Sequence, residues 1–139
     1  MPKLIIALMT VLLLFGCGRK EIPSLQQTSA TPPAITKLSH KVIGQVVHFH
    51  LNLEGGSGSI GYQLDRAVLD PYCKCPSSWQ RYSEMSPLAR HQGERFSRLF
   101  ALPLEDTTYL FRMRAVDGQG HLGAWSQTMQ AHSDKDRLK

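Results

Sequence analysis

Strict alternation of apolar and polar side chains is the feature that most narrows what this chain can fold into. Across residues 45–53, Val47, Phe49, Leu51 and Leu53 point to one side of an extended backbone, while Val46, His48, His50 and Asn52 point to the other. The same period returns across residues 108–116, where Tyr109, Phe111, Met113 and Ala115 alternate with Leu110, Arg112, Arg114 and Val116. Two such stretches, far apart in the chain, are each expected to cover one face of a common core. Half-buried strands separated by turn residues predict an all-β, antiparallel β-sandwich between residues 34 and 131.

The intervening sequence supports further strands at residues 60–69, with Tyr62 and Leu64 on one face, and at residues 79–85, 96–102 and 124–130. Gly55-Gly56-Ser57-Gly58-Ser59 is a loop that no strand absorbs, and Asp117-Gly118-Gln119-Gly120 is a turn. Helical periodicity is weak throughout; one short turn fits within residues 86–98.

The run Thr108-Tyr109-Leu110-Phe111-Arg112-Met113-Arg114-Ala115-Val116-Asp117, followed by Gly118, Gly120, Gly123 and Trp125-Ser126, resembles the end of a fibronectin type III domain. The resemblance implies an Ig-like sandwich in which Tyr109 is the corner tyrosine, with Leu102 or Leu104 upstream as its core companion. Val47, Phe49 and Leu51 then match the second strand, and Gly61, Tyr62 and Leu64 the third. Two departures stand out. Leu51 sits where the family usually has tryptophan, and residues 69–93 are longer than the usual connection.

The N-terminus has another character. Lys3 precedes an apolar run at residues 4–15, interrupted only by Thr10, and the run is too short to span a bilayer, which takes about 20 apolar residues. Leu14-Phe15-Gly16-Cys17 follows and resembles the lipobox of bacterial lipoproteins. That resemblance implies cleavage between Gly16 and Cys17 and attachment of fatty acyl chains such as palmitate to Cys17. Two or more chains make a stable membrane anchor where one is marginal. Gly18, where aspartate resembles an inner-membrane retention signal, favours the outer membrane, facing the periplasm. The expected organisation is a signal peptide at residues 1–16, a lipidated cysteine and flexible tether at 17–33, the sandwich at 34–131 and a polar tail at 132–139. The tether is rich in Pro, Ser, Thr and Gln, which bury too little surface to offset the cost of ordering. Stretched out, it reaches ~55 Å from the membrane.

With Cys17 consumed by lipid, Cys73 and Cys75 remain as a pair in an oxidising compartment. A local disulfide is the leading reading; a Cys-x-Cys ring is small and more reducible than a long-range disulfide, so a redox pair, metal ligation and intermolecular pairing are the alternatives. His48 and His50, at i and i+2 of one strand, share a face and are spaced to chelate a borderline metal such as zinc or copper, or simply to face solvent. His40, His91, His121 and His132 read as surface residues. Arg112 and Arg114 share an outward face, and Arg81, Arg90, Arg95 and Arg98 lie in the middle segment, as a basic interaction face or as solubilising charge. Trp79 offers binding surface, and Trp125 is expected to pack at the end of the last strand.

The sequence holds no Gly-x-Ser-x-Gly elbow, phosphate-cradling loop before a helix, or His-Glu-x-x-His. The leading expectation is therefore a non-enzymatic, cofactor-free envelope lipoprotein acting as a protein-interaction or assembly module. Its partners would be membrane lipid, through acylated Cys17, and an envelope protein, and not nucleic acid. The alternatives are a periplasmic metal-binding or redox accessory protein using Cys73, Cys75, His48 and His50, and a cell-wall or carbohydrate-binding module using the tryptophans. The net charge of +5 suits anionic polymers and ordinary solvated surfaces equally.

Overall fold

The computed structural model describes residues 31–134; the expected signal peptide, Cys17, most of the tether and the end of the tail lie outside the described residues. Seven strands follow in order: β1 (Ala34–Ile43), β2 (Val46–Glu54), β3 (Ile60–Val68), β4 (Gln80–Leu88), β5 (Arg95–Ala101), β6 (Thr108–Asp117) and β7 (Met129–His132). A 3-10 turn at Ala89–His91 joins β4 to β5. The strands form a three-stranded sheet, β1-β2-β5, and a four-stranded sheet, β4-β3-β6-β7, with every pairing antiparallel. The chain is an all-β, fibronectin type III-like sandwich.

The alternation that predicts β2 and β6 also builds the core. Val47, Phe49, Leu51 and Leu53 from one sheet meet Tyr109, Phe111, Met113 and Ala115 from the other, joined by Ile60, Tyr62 and Leu64 of β3. Phe49 and Phe111 meet edge to face across the layer, with ring centres 5.4 Å apart. Of the two leucines proposed beside Tyr109, Leu102 is buried and Leu104 is exposed. Tyr109 is itself buried, and its hydroxyl accepts the backbone N–H of Leu104 at 2.9 Å.

Three expectations need correction. The last strand is Met129–His132, not residues 124–130. Residues 122–128 do follow β6, but irregularly: the N–H of Gly123 reaches the Ala115 carbonyl and that of Ser126 the Met113 carbonyl. The Ser126 hydroxyl then accepts the Met113 N–H at 3.0 Å, so a side chain replaces the backbone acceptor that a strand would supply. Second, His91 is buried: the 3-10 turn folds its ring edge to face onto Phe96, and Nδ1 meets the Ile60 carbonyl at 3.1 Å. Third, the strands expected at 79–85 and 96–102 run Gln80–Leu88 and Arg95–Ala101.

Antiparallel order sorts the connections into two poles. The turns β2–β3, β4–β5 and β6–β7 gather at one end, where β1 also begins at Ala34. That pole is closed by Gly56, whose N–H donates to the Thr31 carbonyl and whose φ of +79° suits glycine; an added Cβ would come within 2.9 Å of Asp117. The turns β1–β2, β3–β4 and β5–β6 gather at the opposite pole.

Candidate functional site

At the pole away from Ala34, β3 leaves the sheet into residues 69–79. Cys73 and Cys75 are joined here by a disulfide. The Asp70 carboxylate accepts the N–H groups of Tyr72 at 2.8 Å and Cys73 at 3.1 Å, and these bonds hold its carboxyl below the usual range. The Asp70 N–H reaches back to the Cys75 carbonyl, and Ser77 closes the base of the loop onto Val68 through both its backbone and its hydroxyl. Lys74 occupies the left-handed region at φ +55°. The outcome is a closed loop with Tyr72 at its tip, 94% exposed.

The neighbouring turns belong to the same pole. Leu102 donates to the Gln45 carbonyl and Leu69 to the Thr108 carbonyl, which ties all three connections together. Among the described residues, Ile43, Leu99 and Leu104 are, like Tyr72, large apolar residues left exposed at or toward this end, and Leu88 and Leu122 are the members of that class toward the other. Exposed apolar side chains of the described residues therefore concentrate toward this pole.

The outer face of the three-stranded sheet carries the histidine pair. His48 lies between Lys41 and Leu99, and His50 between Ser39 and Ser97. The two imidazole centres are 4.1 Å apart, and His48 Nε2 is hydrogen-bonded to the Ser97 hydroxyl. The two imidazoles thus share one face, but among the described residues no group of three or more His, Cys, Asp or Glu comes together. Cys73 and Cys75 are bonded to each other in a loop of the other sheet and are not brought to the histidines.

The outer face of the four-stranded sheet holds an arrangement that sequence reading missed. The Arg112 guanidinium stacks on Trp79 at 4.4 Å and on Trp125 at 4.3 Å, and Arg114 stacks on Trp125 at 4.3 Å. Alternate residues of one strand stand ~7 Å apart, which slots the Trp125 ring between the two arginines. Asp65, almost fully buried, binds Arg81 at 2.7 Å and Arg112 at 3.2 Å, and Gln63 accepts from Arg114. Trp125 thus packs against arginines rather than at a strand end. The signal that could have found this is the Arg112-x-Arg114 spacing in a chain with two tryptophans.

At the pole nearest Ala34, Asp117 is buried beneath the β2–β3 and β6–β7 turns. Burial alone would raise its pKa. The His121 side chain, the N–H groups of His121 and Gln119, and the Ser57 N–H outweigh that and hold it at about 2. His121 is exposed, as expected of a surface residue, and also partners this carboxylate.

No protein-family model and no curated protein matches the chain. Among solved structures, a chain described as "Myokine structure" is similar, with a TM-score of 0.54 and 13% identity over 75% of this chain and 99% of that one. At that identity the likeness concerns the fold alone.

Proposed function

We propose that this protein is a bacterial envelope lipoprotein, anchored through acylated Cys17 in the outer membrane and facing the periplasm, whose sandwich is a non-enzymatic protein-interaction or assembly module. The observation that carries the reading is the opposition of the two poles. The chain joins the sandwich at Ala34, on the side of the expected tether, and the disulfide-closed loop with Tyr72 and Leu104 lies at the other end. A tether attached at one pole leaves the opposite pole as the part that reaches furthest from the membrane. Exposed apolar side chains on a pre-ordered loop lower the entropy cost of binding.

Photo-crosslinking in live cells tests this. With a benzophenone residue in place of Tyr72 or Leu104, one discrete envelope-protein adduct is expected. The same residue in place of Leu122, exposed toward the opposite pole, should leave that adduct absent. Equal labelling from all three positions would remove the basis for the reading.

A further inference from the structure

The two sheets treat their outward cations differently. On the four-stranded sheet Arg81, Arg112 and Arg114 are each engaged by a carboxylate, an amide oxygen or a tryptophan ring. On the three-stranded sheet Lys37 and Arg95 line a cavity of about 210 Å³ together with Ser39, His50 and Asn52. Among the described residues, neither cation makes an ion pair or a side-chain hydrogen bond. A β-bulge between Thr36 and Ser39 inserts one extra residue into β1, and Lys37 takes a left-handed φ of +51° within it. Arg95 comes from β5, on the other side of β2 from Lys37, and is paired opposite Asn52. The Asn52 side-chain oxygen is buried without a hydrogen-bond partner, a state that ordinarily destabilises a fold.

We propose that this cavity binds the phosphate ester of a polyol. A lysine ammonium, an arginine fork, a serine hydroxyl and an imidazole N–H offer more donors than the two oxygens of a carboxylate can accept, and they suit the oxygens of a phosphate. Asn52 supplies the second half of the match. A ligand hydroxyl both donates and accepts, so it satisfies the buried amide in either orientation. The chemistry is shared by a soluble glycerol phosphate and by the phosphoglycerol headgroup of a lipid. The site stands on its own geometry and holds whether or not Cys17 is lipidated.

The test uses the purified full-length protein in zwitterionic micelles, with the imidazole resonances followed by NMR. One arm adds sn-glycerol 3-phosphate; the other adds phosphatidylglycerol to the micelles. The His50 signals are expected to shift saturably in at least one arm while those of His132, remote from the cavity, stay in place. A shift in the first arm identifies a soluble ester as ligand, and a shift in the second alone identifies a headgroup. The pair Lys37→Asn and Arg95→Gln should weaken binding at least tenfold. The pair Lys41→Gln and Arg90→Gln, which removes the same charge elsewhere, should leave it within twofold. No His50 shift in either arm, or equal weakening by both pairs, overturns the proposal.

Discussion

Phe111→Ala is expected to lower the unfolding free energy by about 3–5 kcal/mol, the usual cost of truncating a fully buried phenylalanine. Phe111 has no exposed surface and belongs to an aromatic cluster that spans both layers. It meets Phe49 across the sandwich and lies within 6.2 Å of Tyr82 and 6.4 Å of Tyr109, ring centre to ring centre. Alanine would leave a cavity between two sheets whose strands are held by backbone ladders, so collapse into the gap is limited. Domains of this size are stable by about 5–15 kcal/mol, and the variant should therefore melt well over 10 °C lower. Thermal unfolding followed by circular dichroism reads this directly. A drop of only a few degrees would mean that Phe111 does not join the sheets as described.

Asp117→Ala is expected to cost about 3 kcal/mol at neutral pH, because it strips the acceptor from the N–H groups of Ser57, Gln119 and His121 at a buried site. Its pH dependence separates this residue from a generic core position. The folded carboxyl is held at about 2, below its ordinary 3.8. A group depressed in the folded state contributes stability above its unfolded pKa and loses it as pH falls through its folded pKa. The contribution, about 2 kcal/mol, is complete above pH ~4 and disappears toward pH 2. Urea unfolding at pH 7 and pH 2 should therefore show a large gap between wild type and variant that narrows on acidification. A gap of constant size would sever the link between stability and the Asp117 charge.

Strands β2 and β6 were legible because a period of two survives wherever one face is buried and the other is wet. β7 was not, since the Ser126 hydroxyl substitutes for a backbone acceptor and such an exchange leaves no period in the sequence. His91 looked like a surface residue for a related reason. Nothing in a polar run announces that a 3-10 turn will lay the ring on Phe96. Cys73 and Cys75 were legible as a local pair from their spacing, but the placing of Tyr72, Ile43 and Leu104 at one pole depends on strand order. The Lys37–Arg95 cavity was hidden more deeply: it requires both the bulge after Thr36 and the β2–β5 register that sets Arg95 opposite Asn52.

The proposed role rests on which end of the sandwich faces the membrane, and hence on the chemistry of Cys17. Intact-mass and peptide mass spectrometry of the protein from its native membranes tests this most directly. The expected mature chain begins at Cys17 and carries the added mass of a diacylglycerol group and an N-terminal acyl chain. A chain that retains residues 1–16, or one processed elsewhere with an unmodified Cys17, would contradict the account.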